Sequence, residues 1–157
     1  CVRTYQAFCG GRDFGAMGSR QRVFFGRFKD GMLESDFSGN IVDVCPTGVL
    51  TDKTFRFKSR VWFLKPYEAE CACDKCSGKA VVWMFGNEIF RVTARKDKYG
   101  EVETIEDKTA WICNDCRFDK KDPSKWTIIG PRKIDRHSVI SQGKYATKND
   151  NNPKLLS

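Results

Sequence analysis

Four of the eight cysteines fall into two pairs, Cys73-x-x-Cys76 and Cys113-x-x-Cys116. A C-x-x-C pair lets two thiolates on one tight turn face a single metal. Two such pairs supply the four sulfurs that tetrahedral zinc or an iron–sulfur centre takes. No hydrophobic targeting segment follows residue 1, and closely spaced cysteines without one favour metal ligation over disulfides. Cys71 stands two residues before Cys73 and is a candidate to replace it as a ligand. Zinc would make the group structural, because a closed four-thiolate site has no open position and zinc has no redox chemistry. An iron–sulfur centre there would carry electrons. The residues leave both open, with a slight lean to zinc from the paired spacing.

A second constellation is Cys1 with Cys45-Pro46-Thr47-Gly48. Ferredoxin-type clusters draw three ligands from a C-x-x-C-x-x-C run and a fourth from a remote cysteine, often followed by proline. Cys45 fits the remote ligand. Cys1 fits the last cysteine of a run whose first two members lie upstream of residue 1. The chain opens on cysteine rather than methionine, so the expectation is that an N-terminal part is missing. Cys9, in Phe8-Cys9-Gly10-Gly11, reads as a plain buried thiol. His137 is the lone histidine and reads as a surface or packing contact, and Glu34 and Asp36 read as a solvated face. Trp83 and Trp111 are expected to pack a small sheet. No residue is assigned a catalytic role.

The elements that would position these groups are short. Val2, Tyr5 and Phe8 have helical spacing, and glycines 10, 11, 15 and 18 then interrupt regular structure. Residues 22–27 read as a strand. Ser38 is a candidate N-cap for a helix over residues 39–44, which Pro46 ends by pushing Cys45 out of the α region. Residues 51–64 are aromatic-rich and read as an extended, packed run that would help to exclude water. Residues 79–85 (KAVVWMF) and 89–95 read as paired strands about a Gly86-Asn87 turn. From residue 122 the chain is polar, and residues 148–154 (KNDNNPK) have the composition of a disordered end.

The net charge is +8 over 157 residues, and the mean hydropathy is −0.52. No apolar run approaches the roughly 20 residues of a membrane span. The basic residues are dispersed, which argues against a nucleic-acid stripe. The expected architecture is α+β. Residues 1–64 would be the end of a ferredoxin-like [4Fe-4S] domain. Residues 65–121 would be a small antiparallel four-cysteine module like a zinc ribbon, and residues 122–157 an irregular basic tail.

Asp13-Phe14-Gly15, residues 23–27 (VFFGR), residues 30–40 (DGMLESDFSGN) and residues 43–54 (DVCPTGVLTDKT) together resemble the large iron–sulfur subunit of respiratory NADH–quinone oxidoreductase, complex I. The resemblance covers roughly residues 1–64. It implies that Cys1 and Cys45 ligate a [4Fe-4S] cluster relaying electrons from flavin toward quinone, in a subunit that would not oxidise NADH alone. It implies partners among the peripheral-arm subunits, namely the flavin subunit and the quinone-proximal iron–sulfur subunits. It also implies a place on the cytoplasmic face of a bacterial inner membrane, reached only through the complex. Many members carry a further cluster on C-x-x-C-x-x-x-C plus a distant cysteine, followed by a molybdopterin-enzyme-like domain. Here Ala80 stands where the third cysteine would be, and Cys116 stands beside Cys113, so the centre is either re-ligated or replaced by zinc. Competing readings are a diaphorase-type subunit of an NAD-linked hydrogenase and a zinc-ribbon module binding nucleic acid or protein. Residues 1–54 favour the first family over both.

Overall fold

The structure is a computed structural model and describes residues 1–95 and 111–132. His137, the loop read at residues 96–100 and the polar end at residues 148–154 lie outside the described residues.

The chain opens with helix α1 (Val2–Phe8), whose first-turn side chain Tyr5 is fully buried. Tyr5 meets Phe14 edge to face, with ring centroids 5.8 Å apart. Its hydroxyl donates to Asp13 Oδ1 at 2.5 Å, and the other Asp13 oxygen accepts from Arg27 Nε. A Cβ on Gly11 would lie 2.1 Å from the Tyr5 ring, so only glycine lets the chain pass there. Phe14 begins β1 (Phe14–Met17), which pairs antiparallel with β2 (Phe24–Arg27). Glycine at position 15 therefore sits inside a strand, where a break was expected. Arg27 is the partner of Phe14 in this ribbon, which brings its guanidinium to Asp13.

The helix expected over residues 39–44 is a 3-10 turn, Ser38–Val42, without a side-chain cap. The Ser38 hydroxyl accepts from Asn114 Nδ2 at 3.0 Å instead. A tertiary partner takes the oxygen that would otherwise cap the turn. Residues 51–64 also depart from expectation. Asp52 Oδ1 holds the Thr54 amide and hydroxyl at 2.8 and 2.6 Å, so the segment begins in a turn. Phe57, at φ +66°, is 90% exposed and Trp62 is 75% exposed, whereas Leu64 is buried. Arg56 lies over the Phe57 ring and Arg60 over Trp62. This run does not form the water-excluding wall that its composition implied, because its rings point outward and stack with arginines.

A four-stranded antiparallel sheet follows, in the order β5-β4-β3-β6. Its strands are β3 (Lys65–Glu70), β4 (Lys79–Phe85), β5 (Glu88–Ala94) and β6 (Thr127–Pro131). The β4–β5 turn carries Gly86 at φ +61°, the left-handed conformation glycine adopts without penalty. Ala69, Ala80, Val82, Met84, Ile89 and Val92 pack with Ile112 and Trp126 into the larger core. Trp111 is buried and Trp83 half-buried, its Nε1 bonded to Thr93. Strand β6 takes residues 127–131 out of the segment expected to be irregular. Its backbone pairs with β3, and Trp126 anchors its start by donating to Lys120 O at 2.8 Å.

The N-terminal segment and the sheet are stitched together by buried polar groups. Arg117 is fully buried. Its Nη2 donates to Asn40 Oδ1 at 2.8 Å and to Asp43 Oδ2 at 2.7 Å. Asn40 Nδ2 donates to Ile112 O, and Asn114 Oδ1 accepts from the Gly39 amide at 2.9 Å. Gly39 lies so close that an added Cβ would be 2.6 Å from Arg117 Cδ and 2.9 Å from Phe118 Cζ. Gly39→Ala is therefore expected to cost about 1–3 kcal/mol in urea unfolding, as other overpacked contacts do. An unchanged midpoint would show that this contact yields freely.

Candidate metal centre

The two cysteine pairs are presented by different backbone devices. The first pair lies in the connection from β3 to β4. There the Cys71 amide donates to Gly78 O at 3.1 Å, and Gly78 at φ +67° turns the chain back. The Gly78 amide donates to Cys76 Sγ at 3.4 Å. The second pair lies at the start of a π-helical turn, Asp115–Asp119, in which the Lys120 amide reaches Asp115 O. Wide turns of this kind recur at functional sites because they re-aim a side chain without ending the helix. Here the turn buries Cys116 and Arg117 together.

The Sγ atoms of Cys73, Cys76, Cys113 and Cys116 all lie within 4.8 Å of one another. Cys73 approaches Cys113 at 3.7 Å, and Cys76 approaches Cys116 at 3.8 Å. Cys76, Cys113 and Cys116 are buried and Cys73 is half-buried. Cys71 is not one of the four. Its sulfur touches Cys116 at 3.5 Å and receives Lys120 Nζ at 3.5 Å. Across the mouth, Lys75 pairs with Asp115 at 2.8 Å.

The electrostatics divide the four thiols. Burial pulls Cys73 upward, but the amides of Lys75 and Cys76 outweigh it and lower the group to about 7. Burial pushes Cys113 up to about 11 and Cys116 higher still. Buried thiols crowded this closely hold their protons until a cation displaces them. Four soft donors converging in a largely dry pocket, with amides already aimed at sulfur, suit a thiophilic metal.

The structure does not bring Cys1 and Cys45 into this group. Cys1 is exposed at the start of α1, and Cys45 is half-buried after the Ser38–Val42 turn. At Cys45 the Leu50 amide donates to Sγ at 3.5 Å and the Thr47 hydroxyl lies at 3.6 Å. These two bonds lower Cys45 to about 7. Cys9 is buried, and burial raises it to about 11, as expected of a packing thiol. Arg117, Asn40, Asp43 and Asn114, which fix the second pair relative to the N-terminal segment, were not read from the sequence as functional. The only local signal was the presence of Asn and Arg beside the cysteine pair, which a solvated turn explains equally well.

Mixed short helix and antiparallel strands, a Cys-Pro corner with an amide aimed at sulfur, and four converging thiols define an α+β protein with a site able to hold a thiophilic metal. Residues 1–51 match the family model described as the NADH-quinone oxidoreductase subunit 3, ferredoxin-like domain. The chain is 41% identical over 109 residues to the G subunit of NADH-quinone oxidoreductase from Buchnera aphidicola subsp. Baizongia pistaciae. The same subunit of Shewanella oneidensis is 42% identical, and that of Escherichia coli 40%, over equally long stretches. Each match takes in 69% of this chain and 11% of the relative. Residues 1–51 are thus similar to this ferredoxin-like domain, and the chain is similar over 69% of its length to the G subunits. A match of 109 residues is longer than residues 1–64 can supply, so the likeness runs past the Cys45 corner. Among the described residues, no helix is long and apolar enough to cross a membrane.

Proposed function

We propose that this chain is an iron–sulfur electron-transfer segment of a bacterial NADH–quinone oxidoreductase, in which Cys1 and Cys45 are ligands of a [4Fe-4S] cluster completed by two thiolates from outside this sequence. The observation that carries the reading is the Cys45 corner, which lies inside the matched residues 1–51 and already directs the Leu50 amide at the sulfur. A bound cluster supplies a one-electron carrier. The chain's own part is to hold the thiolates, to donate N–H···S bonds and to set the nearby charge, which together tune the potential. Pro46 keeps the corner out of helix, and the Leu50 amide and Thr47 hydroxyl lower the Cys45 thiol to about 7, which eases its ionisation. On this reading the partners are other subunits of the same oxidoreductase, and the chain meets the membrane only through them, on its cytoplasmic face.

The four-cysteine centre is read as a structural site for a single tetrahedral ion, zinc by preference. Metal–sulfur bonds of about 2.3 Å place tetrahedral thiolates about 3.8 Å apart. The outer thiolates of a four-iron cubane lie roughly 6 Å apart, because each sulfur binds its own iron. The contacts of 3.7 and 3.8 Å favour the single ion. This reading agrees with Ala80 standing where a third clustered cysteine would be. Elemental analysis of the full chain purified without oxygen tests it. One zinc and a colourless protein support it, whereas four irons with sulfide overturn it.

Cys45→Ser in the assembled oxidoreductase tests the electron-carrier reading. One reduced-cluster signal should vanish from low-temperature paramagnetic resonance spectra, and electron flow from NADH to quinone should fall to background. NADH oxidation by a soluble acceptor that needs only flavin should persist. A variant that keeps its full set of cluster signals would remove Cys45 from the ligand set.

A further inference from the structure

The four-sulfur centre has a fifth thiol beside it that the tetrahedral site does not use. Cys71 Sγ is 3.5 Å from Cys116 Sγ, nearer than Cys73 is to Cys113 or Cys76 to Cys116. Cys116 is fully buried, whereas Cys71 is half-buried and reachable from solvent. Lys120 Nζ, at 3.5 Å from Cys71 Sγ and 3.4 Å from Ala72 O, sets a positive charge beside the more accessible sulfur. The backbone holds Cys71 in place, since its amide is bonded to Gly78 O and any Cβ on Gly78 would collide with the Cys71 carbonyl at 2.0 Å. A disulfide needs the two sulfurs to close from 3.5 Å to about 2.05 Å.

We infer that Cys71 is an oxidation site whose disulfide with Cys116 opens the metal centre. The inference rests on the single-ion reading of that centre. The oxidant is a peroxide. The Cys71 thiolate attacks one peroxide oxygen, an S–O bond forms and the O–O bond breaks. Sulfur loses two electrons, and hydroxide leaves. The Cys116 thiolate then attacks the Cys71 sulfur, forming S–S and breaking S–O, and a second hydroxide departs. The ion loses the Cys116 sulfur and is left with three thiolates. A dithiol reductant breaks the S–S bond by exchange, returning Cys71 and Cys116 to thiols as its own two sulfurs join in a disulfide. Cys73, bonded to the amides of Lys75 and Cys76, stays a ligand throughout.

The full chain, purified without oxygen, is analysed for metal and then treated with hydrogen peroxide in the presence of a chromogenic zinc chelator. Disulfides are mapped by fragmentation mass spectrometry. Zinc should be released together with a Cys71–Cys116 link, and dithiothreitol with added zinc should restore the starting state. Cys71→Ser should bind zinc at the same stoichiometry and release it at least about tenfold more slowly, because the accessible first thiol is gone. Release from Cys71→Ser at the wild-type rate, or a link joining Cys73 to Cys113 with Cys71 free, overturns the proposal. Failure of the single-ion reading is seen separately, as iron and sulfide in the untreated chain. The Cys71–Cys116 link is then judged by the disulfide map alone.

Discussion

Cys116→Ser is expected to empty the four-sulfur centre and to destabilise the sheet around it more than any other single change in the chain. Cys116 Sγ contacts both Cys71 and Cys76 and is fully buried in the larger core. A serine oxygen is a poor ligand for a soft ion, and it would add a hydroxyl to a pocket whose remaining groups are thiols. Structural zinc sites in small domains supply about 10–16 kcal/mol of apparent binding free energy near neutral pH, so forfeiting even part of that exceeds the stability of most domains. Bound metal should fall from about one ion per chain to near zero, and thermal unfolding should move to the temperature of the chelator-treated wild type. Cys9→Ala is the matched control. It removes a buried thiol outside the centre and should leave the metal content unchanged. Acid should act in the same direction as the serine. Cys113 and Cys116 hold their protons until the ion displaces them, so binding releases protons and weakens as pH falls. Full metal retention by Cys116→Ser would show that Cys71 has taken over as ligand.

Arg117→Met should produce the second large effect, with the metal still bound. The arginine is fully buried, and its Nη2 is shared between Asn40 Oδ1 and Asp43 Oδ2. Its Nη1 also donates to Val92 O at 3.4 Å. Methionine keeps most of the volume but leaves Asn40 and Asp43 facing an apolar side chain. Breaking a buried pair by removing one partner typically costs about 3–5 kcal/mol. Urea unfolding of the metal-loaded chain should show a loss of that size. Asp43→Asn should cost less, because its one amide oxygen still accepts from Arg117, although Arg91, which lies 2.7 Å from the other Asp43 oxygen, would then face the amide nitrogen. A loss below about 1 kcal/mol for Arg117→Met would mean that the other links, such as those of Asn40, Asn114 and Arg91, hold the two segments without it. By the same geometry the four-cysteine module depends on the N-terminal segment, since without residues 35–43 Arg117 loses its Asp43 carboxylate.

Local patterns carried much of the architecture. Alternation and turn chemistry mark β4 and β5 on either side of Gly86, because period-two side chains and a glycine at positive φ are properties of neighbouring residues. The C-x-x-C spacing is likewise local, since two thiols on one tight turn face one point whatever surrounds them. The Cys-Pro corner and the glycine-rich segment before it carry the family likeness. Strand β6 was not legible, because the five residues Thr127–Pro131 are short, mostly exposed and become a strand only by pairing with β3. The outward rings of residues 55–63 were not legible for a related reason. Hydrophobic composition says that rings gain by burial, but not whether a surface is present to bury them.

What the amino-acid order determined by itself is therefore the chemistry available: four thiols in two pairs, a spare thiol two residues away, and a Cys-Pro ligand corner. What only the tertiary structure decided is which sulfurs meet and how tightly. Cys73 and Cys113 are 40 residues apart, and Arg117 and Asn40 are 77 apart. No local propensity encodes such pairings. They follow from the sheet register that carries the β3–β4 connection to one end of the core, and from one buried guanidinium that must find Asn40 and Asp43 to leave water.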